Sequence, residues 1–384
     1  MIQRNILLTF ALALALLAPL AGCSSDSHEP SQPALARRTI LVYMVATNSM
    51  GSLDHDDEDL AEMDKAVAAG ALGGCRLLVY RVSVDEPQPE LFEIVRGKGA
   101  VAQHRGLKAY DAAPGSSVTR ERMSQVVADV AALAPARSYG LVLWSHASGW
   151  AKSLTTKGAV RRREFAIDNG HTMPLDVLAS ALPAGQFEWI YADVCYFGSI
   201  EVAYELRHAT RYFVGSPTEI PGTGMPYDVA LPYLCQDSTR LVDACQAVYS
   251  HYAARSGSEQ TMALSLVDCS QLDRLAAVCR QVHASAVPLE STRGLQCYNM
   301  GGYRFLFDFM QYEQAIAPPS LQAALGQAYA AAVRYKAATL RIFDTLTIDP
   351  VRYSGLSVYI PGTSPGVNET YYKTLQWYRD TYNI

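Results

Sequence analysis

Apolar residues run unbroken along Thr39–Ala46, TILVYMVA, half of them β-branched. Such a run predicts a strand buried on both faces, as in a parallel sheet. Leu53–Ala69 carries apolar residues at helical spacing and stops at Gly70. Arg76–Val84 reads as a second strand, and Tyr139–Trp144, Phe187–Ala192 and Arg211–Gly215 as a third, fourth and fifth. Between them lie helical patterns at Ser117–Leu133, with Thr119 as N-cap, at Pro174–Leu182 and at Ser199–His208. Residues 85–118, punctuated by Pro87, Pro89 and Pro114, read as irregular. The alternation of strand and helix predicts an α/β fold: an open, mostly parallel sheet with helices on both faces. Beyond Pro221 the pattern turns helical, at Ser238–Arg255, Gln271–Val287 and Ser320–Ala338. Apolar runs at Thr261–Val267 and Gly355–Ile360 interrupt it. We divide the chain into a core of about residues 39–225 and a helical C-terminal extension of about 226–384, with no linker-like composition between them.

The start of the chain follows a different logic. A short basic beginning, Met1–Arg4, leads into the apolar run Asn5–Leu20, then Ala21-Gly22-Cys23 and the polar stretch Ser24–Gln32. A charged start, an apolar middle and small residues at a cleavage site describe a secretory signal. Small residues ending in Cys resemble the bacterial lipoprotein signal, in which the cysteine is lipidated and becomes the new N-terminus. Residues 1–22 are therefore read as signal peptide, Cys23 as the lipid attachment site, and 23–38 as a linker to a domain over 39–384. The expected location is outside the cell's inner membrane, held by lipid on the outer membrane or cell surface.

Net charge changes the picture only by exclusion. At -5 the chain lacks the basic surface that nucleic acid demands, so no nucleic-acid partner is expected. Cys75, Cys195, Cys235, Cys245, Cys269, Cys279 and Cys297 contain no C-x-x-C pair, which argues against a zinc site. Seven is odd, so at least one thiol is expected to be free. The chain has no H-E-x-x-H or G-x-x-x-x-G-K-[ST] motif, leaving zincin and P-loop readings without support.

In open α/β sheets the working residues gather at the carboxyl ends of strands. The third strand delivers His146 within LWSHASGW, and the fourth delivers Cys195 within YADVCYFG, 49 residues later. One helical crossover separates the two, so they are expected on adjacent strands at one edge of the sheet. A thiol and an imidazole so placed are the minimum for nucleophilic acyl transfer.

At these motifs the chain resembles the clostripain family of cysteine peptidases, of the caspase-like clan. The likeness extends from LVYMVATNSM at 41–50, through LVLWSHASGW and FAIDNGHTMPLDVLASAL, to ADVCYFGSIEVAYELR at 192–207, GSPTEIPGTG at 215–224 and GLSVYIP at 355–361. It implies a caspase-like core, His146 as catalytic histidine and Cys195 as nucleophile. It also implies an oxyanion site built from the amides of Ala147 and Cys195. At 147 a glycine is usual, and Ala resists positive φ, so the loop geometry is expected to differ. The resemblance makes Asp193 an acid of the primary specificity pocket, which accepts Arg or Lys, with Glu219 as a further candidate; Thr223 stands where a second acid is plausible. The expected partner is a peptide or protein substrate.

The resemblance further implies cleavage between the histidine and the cysteine. AKSLTTKGAVRRR, with Lys152, Lys157, Arg161, Arg162 and Arg163, is the exposed basic loop where that is expected. No metal site or other cofactor is expected. Calcium dependence is implied by the resemblance alone: the acidic run Asp54–Asp59 lacks the spacing and glycine of an EF-hand loop and reads as a solvated helix start. A surface binding protein that keeps the fold without catalysis, and a transpeptidase or amidase using the same dyad, are the rival readings.

Overall fold

The computed structural model describes residues 35–151, 154–156, 159–161, 164–299 and 304–382. The signal, Cys23, Lys152, Lys157, Arg162 and Arg163 lie outside these residues. The centre is a nine-stranded sheet. Its strands are β1 (Arg38–Ala46), β2 (Cys75–Ser83), β3 (Glu90–Arg96), β4 (Ala102–Ala109), β5 (Tyr139–Trp144), β6 (Phe187–Asp193), β7 (Thr210–Gly215), β8 (Ala263–Asp268) and β9 (Val333–Ala338). The spatial order is β9-β8-β7-β6-β5-β1-β2-β3-β4. The five central strands are parallel, and the two at each margin run antiparallel.

Alternation along β1 shows why both faces must be covered. Leu41, Tyr43 and Val45 enter one core, Ile40, Val42 and Met44 the other, and all nine residues of the strand are buried. The first core is closed by α2 (Arg120–Leu133), α3 (Leu175–Ala181), α4 (Ile200–Leu206), α7 (Leu272–Ala284), α8 (Phe309–Ile316) and α9 (Pro319–Ala332). The second is closed by α1 (His55–Ala68), α5 (Tyr227–Leu234) and α6 (Leu241–Ala253). Thr119 caps α2, its side chain accepting from the Arg122 N–H. Among the described residues no helix is long and apolar enough to cross a membrane.

Three expectations need correction. Residues 85–118 are not irregular throughout: they hold β3 and β4. The prolines that suggested a loop lie outside the strands, and β4, AQHRGLKA, is polar because it is a margin strand with little of its surface buried. Ser320–Ala338 is not one helix; the chain leaves α9 at Ala332 and continues as β9, whose half-buried and exposed positions alternate. With β8 it extends the central sheet, so the C-terminal region is not merely helical. The acidic run 54–59 is only partly solvated. Asp56 and Asp59 are buried, because Arg81 donates to Asp56 at 2.6 and 2.9 Å and the Trp144 indole N–H donates to Asp59 at 2.6 Å.

Candidate active site

The parallel strands β1, β5 and β6 end side by side, and the segments leaving them line a cleft of about 690 Å³. Asn48 and Ser49 come from β1, Ser145–Ser148 from β5, and Asp193–Tyr196 from β6; Glu219–Gly222 and Gly224 close the far side. The structure thus brings His146, Ala147, Asp193, Cys195 and Glu219 into one cavity.

Local chemistry fixes each segment. The Ser145 hydroxyl donates to Val45 O at 2.7 Å, tying the end of β5 to the end of β1. The Asn48 amide donates to Val45 O at 3.0 Å and Ile167 O at 2.8 Å. The hairpin Phe165–Asp168/His171–Met173 packs beneath the histidine, with the Ala166 N–H donating to His146 O at 3.0 Å. The His146 ring itself meets Ser49, Nε2 to Oγ at 2.8 Å. Ala147 is not among the described non-glycine residues with positive φ, whereas Gly149 is at +84°. The alanine is accommodated without left-handed strain, and the turn is taken two residues later.

Cys195 stands two residues beyond the end of β6 and is half-buried. The Ile220 N–H donates to its Sγ at 3.5 Å, and Ile220 O lies 4.0 Å from the same sulfur. Tyr196, next in the chain, holds φ +60°, rare for a residue with a side chain. Its N–H donates to Thr218 O at 2.9 Å, and the Gly198 N–H donates to Ser216 O at 2.6 Å, so the loop after β7 holds the turn in place. Ser199 then caps α4 by accepting from the Val202 N–H at 3.2 Å.

Asp193 is buried at the back of the cleft. The Met225 N–H donates to Oδ1 at 2.8 Å and the Tyr227 hydroxyl to Oδ2 at 3.0 Å. A side chain at Gly224 (φ +52°) would place Cβ 2.8 Å from Oδ2, so only glycine lets this turn close on the carboxylate. Burial raises the Asp193 carboxyl to about 6, against the two hydrogen bonds that favour its charge. Asp59 is raised well above the carboxylate range by burial and then by the charge of Asp193. Glu62, which accepts from the Tyr227 N–H at 2.8 Å, is raised by burial too. Glu219 accepts from the Tyr196 hydroxyl at 3.0 Å, while Thr223 turns to Tyr252 (3.1 Å). Arrangements of this kind, with a half-buried thiol, an imidazole and a buried acid in a single cleft, suit acyl transfer on a substrate bearing a cation.

The clostripain family model matches residues 42–338, which contain every strand end just described. The chain belongs to the clostripain family. This protease is also similar to solved structures over nearly its whole length. A secreted C11 cysteine protease from Bacteroides thetaiotaomicron, in complex with an irreversible peptide inhibitor, is 28% identical with a TM-score of 0.77, over 90% of this chain and 98% of that one. An inactive zymogen C11 protease from Parabacteroides distasonis is 29% identical with a TM-score of 0.78, over 91% and 99%. The comparison with curated proteins returned no match. The fold is the caspase-like one of these proteases, and the chain is a cysteine protease.

Sequence reasoning missed Ser49, Ile220, Tyr227 and Glu62. Ser49 carried a signal: it lies just past a buried strand, where the carboxyl edge of the sheet collects function. The others reach the site from loops and helices whose docking only the tertiary fold reveals. Arg161 closes a short hairpin, Leu154–Thr156/Ala159–Arg161, within the basic segment.

Proposed function

We propose that this protease hydrolyses peptide bonds after Arg or Lys, using Cys195 as nucleophile and His146 as general base and acid. The observation that carries the reading is the shared cleft: both side chains line it together with the buried carboxyl of Asp193. His146 takes the thiol proton as Sγ attacks the scissile carbonyl. The amides of Ala147 and Cys195 hold the oxygen of the tetrahedral intermediate. His146 then returns the proton to the leaving amine, and water, deprotonated by the same imidazole, releases the acyl group. Ser49 acts as a positioning residue, fixing the imidazole through Nε2.

Specificity follows from the floor of the cleft. Each oxygen of the Asp193 carboxylate accepts one hydrogen bond from the protein, and each retains lone-pair capacity for a substrate cation. A guanidinium arriving there forms a charge-assisted pair and lowers the pKa that burial has raised. Glu219, at the cleft wall, supplies a second negative charge. Cleavage of a peptide library, with every product identified by mass, tests the assignment. Cuts confined to bonds after Arg and Lys support it. Preference for apolar or acidic residues overturns the pocket assignment, and ligated products reveal a transpeptidase.

The same reading extends to export and maturation. The protease is carried out of the cytoplasm by residues 1–22 and anchored through lipid on Cys23. Support comes from the signal-like sequence and from the secreted protease it resembles. Cys23→Ser moves the protein from the membrane to the soluble fraction. The basic segment holding Lys157, Arg161, Arg162 and Arg163 is a substrate for the enzyme itself, cut to give two chains that stay together. The likeness to a zymogen is consistent with such a step. Denaturing gels show two fragments for wild type and one chain for Cys195→Ala.

A further inference from the structure

We propose that Cys75 and Cys235 form a disulfide that clamps the end of α5 to the amino edge of the sheet. Cys75 opens β2, and Cys235 is the residue at the carboxyl end of α5. The Cys75 thiol donates to the backbone Cys235 O at 2.8 Å, which brings its sulfur against the residue that carries the second thiol.

The surroundings favour the reaction as well as the proximity. Arg37 donates to Cys235 O at 2.6 Å and sets its Nη2 3.8 Å from the Cys75 sulfur. Arg38 donates to Leu234 O at 2.8 Å and to Gln236 O. Two guanidiniums therefore meet the last carbonyls of α5, where cations are favoured, and they also favour a thiolate. The Cys75 thiol is brought down to about 6, first by its hydrogen bond with Cys235, against burial, and then by Arg37. Cys235 is pushed up, by that same contact and by burial. Cys245 and Cys269, by contrast, are raised chiefly by burial. Cys75 retains 7% exposure and Cys235 none, so Cys75 is the group an outside reagent reaches first.

The oxidant is an external disulfide, either a small molecule or a protein. The Cys75 thiolate attacks one of its sulfurs, breaking that S–S bond, releasing one thiolate and forming a mixed disulfide. Cys235 gives its proton to the departing thiolate and attacks the Cys75 sulfur, expelling the second thiolate, which takes a proton from water. Two protein thiols are oxidised and one external disulfide is reduced. The pair closes a span of 160 residues, long enough for the bond to constrain the unfolded chain strongly. It also secures the helix whose first residue, Tyr227, holds Asp193.

The test is peptide mapping of wild-type protein incubated with oxidised glutathione, denatured, alkylated without reduction and digested. A linked pair of peptides containing Cys75 and Cys235, with a melting temperature that falls by roughly 5 °C on adding reductant, is the expected result. In Cys235→Ser the reductant leaves the melting temperature unchanged. Full alkylation of both cysteines after glutathione treatment overturns the proposal, as does linkage of either one to another cysteine. Peptide mapping reads the bond directly, so the outcome is independent of whether Cys195 is the nucleophile.

Discussion

The two edges of the central sheet hold the same functional group in opposite settings. At the carboxyl edge Cys195 is half-buried in an open cleft, among an imidazole, backbone amides and acids. At the amino edge Cys75 is buried beside Cys235, where two arginines meet the end of α5. A thiol in a cleft can meet a substrate carbonyl; a thiol buried beside a second cysteine is placed for sulfur exchange. The difference lies in what the chain packs around each sulfur, since intrinsic reactivity is common to both. Charge divides the edges as well. The carboxyl edge carries buried acids that titrate, whereas the amino edge carries guanidiniums that stay charged at any working pH.

The comparison breaks most easily at Cys195. Cys195→Ala and His146→Ala should each lower kcat/KM by roughly 10³-fold or more while leaving the circular dichroism spectrum intact, since the two act as one unit. Cys75→Ala should leave the rate nearly unchanged. Equal losses at the two cysteines would erase the distinction between the edges.

Asp193→Asn comes next. Removing one partner of a buried charge pair should cost about 2–5 kcal/mol in kcat/KM for substrates with Arg or Lys before the cut. In wild type the same preference should weaken as pH falls through about 6, where the carboxyl of the empty pocket gains its proton. A pH–rate profile that is flat between 7 and 5 for basic substrates would remove Asp193 from the pocket.

Glu201 sharpens the contrast through stability. It is buried on α4 just past Cys195; Oε1 accepts from the Tyr359 N–H at 2.7 Å, and Oε2 has no partner among the described residues. Burial raises this carboxyl from the ordinary 4.5 to about 7. Its stabilising contribution is therefore complete below 4.5 and is lost as pH rises through 7, a total of roughly 3 kcal/mol. Glu201→Gln keeps the acceptor without the charge. Thermal melts should show it more stable than wild type at pH 8 and no more stable at pH 4.

The smallest effect is at Ser49. Losing one hydrogen bond to the imidazole should lower kcat about tenfold in Ser49→Ala, with KM unchanged, and Ser49→Thr should recover most of it. A shift in the pH–rate profile separates positioning of His146 from a change in fold.

How much of this was legible beforehand follows from what each residue depends on. The parallel strands announce themselves because burial on both faces leaves no polar position in Ile40–Val45. Cys195 and His146 could be placed because strand ends fix their location and local motifs surround them. β4 and β9 escaped because margin strands expose much of their surface and carry polar residues, and the largely buried β3 escaped because Pro87 and Pro89 just ahead of it read as a loop. Tyr227 and Ile220 escaped for another reason: their roles exist only once the segment after β7 folds back over the β6 end. The Cys75–Cys235 contact joins residues 160 apart, and no spacing rule reaches that far.

The central claim is that one thiol of this molecule performs peptide chemistry and that its neighbourhood explains why. An irreversible, thiol-directed peptide inhibitor with Lys or Arg at the reactive end tests it in one step. After stoichiometric inactivation, digestion and mass analysis should find the added mass on the Cys195 peptide and leave Cys75, Cys235 and Cys297 unmodified. Inactivation with the label on any other cysteine, or full activity after complete labelling of Cys195, would contradict the account.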